Sequence, residues 1–362
     1  MDQYLIRRDP FPSLSAADPK HQGSTGRVFA INPNIFFKCP LLYEDDDFLS
    51  DEDEHEMEQS VEGIENEKRM FDLFKSHSHP NILHAILCVL EGIFMPRLET
   101  TLAIRLAIPC IADDETRERW ISQLVSAAAW LEKLGYAHGD LRPENILVDK
   151  LNDIRIADFD ATVTIGSELR LATIPFSKVD KTGDTLLAGP ESEQFSLGSI
   201  IYNICYGFPP WTNFDPRSPV CKWMIAHRKY PSTPNCRYGS IIQKCWIGVF
   251  PSIEALEVEI DKLTTVQLVP RSKPARHHAW YLLAQCREYV ARERLCLGGR
   301  VAWRLQLRCI LVVWIVIRAV LSVFQGRSSL VVRNTHSINA YLSSPATLSS
   351  ESLRTASNTA ST

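Results

Sequence analysis

The sequence has few of the features that mark extracellular or repetitive proteins. Its ten cysteines are scattered, and no two of them form a Cys-x-x-Cys pair. The first residues contain no apolar stretch of the kind found in a secretory leader, and no segment repeats. We therefore expect reduced thiols and a cytoplasmic or nuclear location.

The sequence also lacks an excess of basic charge. Its net charge is −4, and ten aspartate and glutamate residues lie between positions 44 and 58. The acidity is thus one local block, and the rest of the chain is close to balanced. This composition predicts no nucleic-acid partner, and it favours a solvated acidic insertion at residues 44–59.

No apolar run is long enough to cross a bilayer without interruption. The longest candidate is the stretch 309–324, and Arg318 lies inside it. A membrane span needs roughly 20 apolar residues, and an arginine at its centre costs about 2.5–3.5 kcal/mol. We expect a buried or interfacial helix there, with a membrane span as the less favoured alternative.

Hydrophobic periodicity predicts a strand-rich beginning followed by helices. The predicted strands are 28–31, 35–37, 82–87 and 93–98, with a turn at Asn32-Pro33-Asn34 between the first two. The predicted helices are 61–74, 113–134, 195–206 and 252–263. At 362 residues the chain can form two lobes and additional sequence, since a domain takes roughly 100–200 residues.

The most specific pattern is the run from His138 to Asn145, followed by Asp158-Phe159-Asp160. Carboxylate and amide side chains at this spacing are typical of a phosphoryl-transfer site. Asp140 would orient the acceptor hydroxyl and take its proton. Asn145 would offer an amide oxygen to Mg²⁺, and Asp158 would bring a negative charge to the same ion.

This pattern resembles the catalytic loop and metal motif of eukaryotic protein kinases, and Arg142-Pro143-Glu144 resembles the serine/threonine type. The resemblance covers about residues 20–265. It implies an α+β, two-lobed fold with a small β-rich N-lobe, a larger helical C-lobe and a non-kinase C-terminal tail. The implied division is a lead-in (1–19), an N-lobe (20–97), a C-lobe (98–265) and a basic, partly hydrophobic, then Ser/Thr-rich tail (266–362).

The resemblance also assigns an ATP clamp. The run from His21 to Val28 resembles the glycine-rich loop, with His21 in place of the first glycine, and glycines let backbone N–H groups approach phosphate. Lys38 would hold the phosphates, Glu67 (or Glu65) would orient it, and Met95 would lie behind the adenine. The implied site residues are Asp140, Lys38, Arg142 and Glu67 for catalysis, Gly23, Gly26, Val28, Lys38, Pro96 and Leu98 for ATP, and Asn145 and Asp158 for Mg²⁺.

Several positions depart from the kinase pattern. Gly139 replaces an arginine that, in many kinases, pairs with a phosphate on the activation segment, here residues 159–189. We therefore expect activity that does not depend on such phosphorylation. Asp160 replaces a glycine; it could add a second carboxylate to the metal site, but a solvated turn residue is the favoured expectation. Glu193 replaces an aspartate at the start of the central helix, and no arginine near Cys245-Trp246 is an obvious partner for Glu191.

Three functions remain compatible with these residues. The first is a serine/threonine protein kinase that uses Mg²⁺-ATP and a protein substrate. The second is a small-molecule kinase of the related phosphotransferase type. The third is a pseudokinase scaffold that binds nucleotide without turnover, although it would not need Asp140, Asn145 and Asp158.

Overall fold

The N-terminal part of the chain forms an antiparallel sheet with one long helix beside it. The computed structural model describes residues 9–14, 19–23, 26–43, 50–108, 112–216, 218–265 and 276–296. The sheet has the order β1-β2-β3-β5-β4. Its strands are β1 His21–Gly23, β2 Gly26–Asn32, β3 Ile35–Cys39, β4 Leu87–Val89 and β5 Gly92–Pro96, and the helix is α1 Asp51–Ser76.

The hairpin of β2 and β3 sets the two faces of this sheet. Val28 lies opposite Lys38 and Phe29 opposite Phe37 in the antiparallel register. Because side chains alternate along a strand, Lys38 and Val28 share one face, while Phe29 and Phe37 share the other. The predicted turn at Asn32-Pro33-Asn34 is confirmed.

Helix α1 begins ten residues earlier than the periodicity predicted. Ser50 caps it, with the Asp53 N–H bonded to the Ser50 Oγ at 3.2 Å and the Ser50 N–H bonded to the Asp53 carboxylate at 3.2 Å. Acidic residues in the first turn are stabilised by the helix dipole. The predicted helix start at Val61 is therefore wrong, and most of residues 51–59 are exposed on the first turns of the helix. Residues 44–49 of the predicted acidic insertion lie outside the described residues.

The prediction of a strand at 82–87 is also wrong, apart from its last residue. β4 begins at Leu87, and Ile82 instead makes a parallel bridge to Ile156. The Leu83 N–H donates to the Ile156 carbonyl at 2.8 Å. This segment therefore ties the sheet region to the strand that precedes Asp158.

The larger, mainly helical part follows β5. Its helices are α2 Leu102–Leu106, α3 Asp114–Lys133, α4 Pro190–Tyr206, α5 Pro219–Ala226, α6 Gly239–Ile247 and α7 Ile253–Leu263. Its short strands are β6 Thr100–Thr101, β7 Tyr136–Ala137, β8 Ile146–Val148, β9 Ile154–Ile156 and β10 Val163–Thr164. Trp120, Leu124 and Leu131 of α3 are buried, as the periodicity predicted. Helix α4 begins at Pro190 rather than Phe195, with Gly189 at its N-cap.

A further helix, α8 Arg276–Cys296, packs on the outer face of the N-lobe sheet. Leu282, Cys286, Tyr289 and Val290 join Phe11, Phe29, Ile35, Phe37 and Phe94 in one buried cluster. Arg294 donates to both carboxylate oxygens of Glu91, at 3.0 and 2.8 Å. Residues 276–296, which the sequence placed in the tail, are thus part of the packed structure.

The remaining tail predictions concern residues 266–275 and 297–362, which lie outside the described residues. The apolar run 309–324 is among them. No helix in the described ranges is both long enough and apolar enough to cross a membrane.

We expect Tyr289→Ala to lower the free energy of unfolding by about 3 kcal/mol, because it removes a buried ring from the cluster under α8. Tyr281 on the same helix is 58% exposed, so Tyr281→Ala is the matched control and should cost less than about 1 kcal/mol. Chemical denaturation of both variants tests this. Equal effects would show that α8 is not held by its buried face.

Candidate active site

The catalytic loop places Asp140 and Asn145 in direct contact. Asp140 is 7% exposed, and the Asn145 Nδ2 donates to its Oδ2 at 2.9 Å and to its backbone carbonyl at 2.9 Å. The side-chain amide nitrogen of Asn145 is thereby fixed on Asp140, which leaves the amide oxygen on the other side of the group. The loop continues into β8, which pairs with β9, and Asp158 follows β9.

Lys38, Glu67 and Asp158 meet between the sheet, α1 and the chain after β9. The Lys38 Nζ lies 2.7 Å from the Glu67 Oε2 and also donates to the Asp158 carboxylate. Glu67 is fully buried, and its second oxygen accepts the Phe159 N–H at 3.4 Å. The structure thus brings three predicted site residues together, and it selects Glu67 over Glu65, whose partner is Lys68.

The charged groups in this cluster shift one another's pKa values. Burial alone would lower the pKa of the Lys38 ammonium, but the carboxylates of Asp158 and Glu67 raise it well above its usual value. Burial also opposes ionisation of Asp158, yet Lys38 holds its pKa below the usual range. Burial raises the pKa of Glu67 to about 7, which Lys38 only partly opposes. Lys38 is therefore a cation that several carboxylates share.

Asp160 is not the solvated turn residue that the sequence predicted. It is 5% exposed, and its Oδ2 lies 3.8 Å from the Lys38 Nζ. The side chain lies within reach of the positive charge of Lys38. Asp160 thus adds a third carboxylate around the lysine.

Phe159 holds the Asp158 segment against both lobes. It is fully buried, and its ring lies 5.8 Å from that of Phe71, 4.9 Å from that of Phe74 and 5.3 Å from that of His138. The two phenylalanines belong to α1, and His138 belongs to the catalytic loop. This apolar contact joins α1 to the catalytic loop.

The predicted nucleotide contacts Gly23, Gly26, Val28 and Pro96 belong to strands of the sheet, and Leu98 follows β5. Gly23 and Gly26 are paired across the hairpin of β1 and β2. A Cβ at Gly26 would meet the Cys39 carbonyl oxygen at 2.7 Å, so the close approach requires glycine. Val28 lies beside Lys38, and Met95 and Pro96 end strand β5 before Leu98. Use of these residues by ATP stays a prediction.

Thr173 and Arg142 also contact Asp140. The Thr173 Oγ1 donates to the Asp140 Oδ1 at 2.7 Å, and the Arg142 Nε lies 3.1 Å from the Oδ2. Arg142 thus keeps a positive charge beside the predicted base. Thr173 was missed as a site residue, because only the folded activation segment brings it within reach.

Glu193 anchors the catalytic loop from helix α4. It is 7% exposed, and its two carboxylate oxygens accept the N–H groups of His138 at 3.0 Å and of Gly139 at 3.2 Å. Burial raises the pKa of this carboxyl, and the two N–H donors counteract part of the rise. Its place at the start of the central helix was the only sequence signal for this role.

Glu191 finds a partner that the sequence did not suggest. The Lys178 Nζ lies 2.8 Å from the Glu191 carboxylate and donates to the Ile247 carbonyl at 3.2 Å. Lys178 belongs to the activation segment itself, whereas an arginine near Cys245-Trp246 had been sought. This contact ties the segment to α4 and to the end of α6.

We expect Glu193→Ala to lower the free energy of unfolding by about 2–4 kcal/mol, because two buried N–H groups lose their acceptor. Glu288 is exposed on α8, and Glu288→Ala should change stability by less than about 0.5 kcal/mol. Equilibrium denaturation measures both. A Glu193→Ala protein as stable as the control would refute the anchoring role.

Comparison with known proteins agrees with this geometry. The protein kinase domain model matches residues 49–240. The chain is 26% identical over 187 residues to NUAK family SNF1-like kinase 1 of Mus musculus and of Homo sapiens, which is 48% of this chain and 28% of each relative. It is 28% identical over 187 residues to maternal embryonic leucine zipper kinase of Xenopus laevis, again 48% of the chain and 28% of the relative. The match thus spans less than a third of these relatives' length. Because the family model covers more than half of the sequence, the chain belongs to the protein kinase family.

Proposed function

We propose that this protein transfers the γ-phosphate of Mg²⁺-ATP to serine and threonine hydroxyls of proteins. The observation that carries the proposal is the complete set of chemical groups around one site. Lys38 is paired with Glu67 and Asp158, and Asp140 is held by Asn145. The names of the relatives, which include a probable serine/threonine-protein kinase of Encephalitozoon cuniculi 28% identical over 120 residues, support the same class.

The residues present fit Mg²⁺-ATP. Mg²⁺ is usually held by one or two carboxylates together with substrate phosphates, and Asp158 with the amide oxygen of Asn145 meets that need. Within the described ranges, no three His, Cys, Asp or Glu side chains form a metal cage by themselves. When bound, Mg²⁺-ATP supplies the transferable phosphoryl group and neutralises its charge.

The protein's own residues would perform the remaining steps. Asp140 would orient the acceptor hydroxyl and accept its proton, and Arg142 would hold a positive charge beside the base. Lys38, fixed by Glu67, would hold the phosphates, and Gly23, Gly26 and Val28 would cover them. The carbonyl of Pro96 and the N–H of Leu98 would bind the adenine edge. The compartment proposed is the cytoplasm or the nucleus, where the scattered cysteines of the sequence would stay reduced.

We expect Asp140→Asn to lower kcat by about 100-fold or more, because it removes the proton acceptor. ATP affinity should change by less than about threefold, since Asp140 acts on the acceptor. The measurement is transfer of labelled γ-phosphate to generic protein substrates by residues 1–296, which retain α8. Asp261 is exposed on α7, and Asp261→Asn is the matched control.

We expect Asp158→Asn to weaken Mg²⁺-ATP binding by about tenfold or more, because it halves the predicted protein ligands of the ion. Calorimetric titration with Mg²⁺-ATP, and with ATP in a chelator, separates the metal-dependent part. Unchanged affinity in Asp158→Asn would remove Asp158 from the metal site.

The outcome of the transfer assay also decides between the three functions. Label on protein that disappears in Asp140→Asn supports the proposal. Label on a small alcohol but not on protein would indicate a small-molecule kinase. ATP binding without transfer to any acceptor would indicate a scaffold.

A further inference from the structure

Asn66 joins helix α1 to the start of the activation segment. Its side chain is buried, and its Nδ2 donates to the carbonyls of Thr162 at 2.8 Å, of Asp160 at 2.9 Å and of Phe159 at 3.3 Å. Arg69 donates to the Asn66 Oδ1 at 3.0 Å, which fixes the direction of the amide. One side chain therefore binds three carbonyls of a four-residue stretch.

This contact is coupled to the lysine site. Asn66 precedes Glu67 on the same helix, and Glu67 binds both Lys38 and the Phe159 N–H. When α1 is in place, the two neighbouring side chains hold the lysine and the segment together. A shift of α1 would release both.

The catalytic loop packs directly against the stretch that Asn66 holds. Gly139 has φ +82°, and a Cβ at this position would lie 2.5 Å from the Ala161 carbonyl oxygen. A side chain there is excluded by both the backbone angle and the space. The position at which related kinases carry a phosphate-binding arginine is thus closed.

Three threonine hydroxyls of the segment are engaged in other contacts. Thr162 is 2% exposed, and its Oγ1 donates to the His138 carbonyl at 3.4 Å. Thr173 donates to Asp140. The Thr182 Oγ1 donates to the carboxylates of Asp180 at 2.6 Å and of Asp184 at 2.8 Å. A phosphate on Thr182 would therefore meet two negative charges.

We propose that Asn66 is a positioning residue that holds the activation segment in its assembled arrangement without phosphorylation. Its amide holds the segment by hydrogen bonds to three backbone carbonyls. In many kinases a phosphate on the segment, bound by an arginine, would hold it by charge. This inference rests on the proposed kinase function and adds the way in which that site is controlled.

The first test uses the full chain without any substitution. Protein treated with phosphatase, and shown by mass spectrometry to lack phosphate in residues 159–189, should have the same initial rate as untreated protein within about twofold. A rate that appears only after phosphorylation of the segment would overturn the proposal and leave the kinase function intact.

The second test replaces the donor by a group of equal size. In Asn66→Asp a carboxylate would face the three carbonyls, and kcat should fall by about tenfold or more. The KM for ATP should rise by much less, because Asn66 has no part in the predicted nucleotide contacts. Asn213 is exposed, and Asn213→Asp controls for the added charge. An Asn66→Asp enzyme with normal kcat would overturn the proposal.

Hydrogen exchange supplies a readout that needs no turnover. Amides of residues 159–165 should exchange about tenfold faster in Asn66→Asp than in the wild type, while those of α6 and α7 stay unchanged. If the wild type transfers no phosphate at all, the proposed function fails, and this exchange difference still decides whether Asn66 holds the segment. Equal exchange rates in the two proteins would refute the proposed role of Asn66.

Discussion

The buried cation of Lys38 is the interaction on which the arrangement of the site depends. It reaches Glu67 from α1, Asp158 from the chain after β9, and Asp160 beyond it. Removing one partner from a buried ion pair costs about 3–5 kcal/mol, because the other charge stays buried. Lys38 therefore links the sheet, the helix and the start of the activation segment through one side chain. Asp140 gains its position from the same network through Phe159, His138 and Glu193.

Strand β3 is held on both of its faces. Lys38 points into the site, while Phe37 on the opposite face lies in the cluster covered by α8 and Phe11. The helix at 276–296 thus supports the strand that carries the lysine, although no residue of α8 contributes to the predicted ATP contacts. A catalytic fragment that ends at residue 265 would expose this apolar face, which is why residues 276–296 belong in any functional assay.

The sequence predicted the elements and residues that short-range patterns determine. The spacing from Asp140 to Asn145 and Asp158 identified the site, and periodicity located α3 and α7, with Ser252 capping α7 at 3.1 Å. The errors concern long-range contacts. Asp160 lies within reach of Lys38, 122 positions away in sequence, and Asn66 meets carbonyls more than 90 positions away. No local pattern shows that Lys178 binds Glu191 or that Arg294 binds Glu91. The early start of α1 could have been found, since Ser50 and Asp53 form a recognisable capping pair.

The orientation of Lys38 by Glu67 is tested most directly by a double-mutant cycle on ATP affinity. The variants are Lys38→Met, Glu67→Gln and the double variant. If Glu67 acts through Lys38, the double variant should bind Mg²⁺-ATP about as weakly as Lys38→Met alone, with a coupling energy of about 1 kcal/mol or more. Calorimetric titration gives the four dissociation constants, and thermal denaturation confirms that all four proteins are folded. Losses of affinity that simply add would contradict the account, because Glu67 would then affect ATP binding without orienting the lysine.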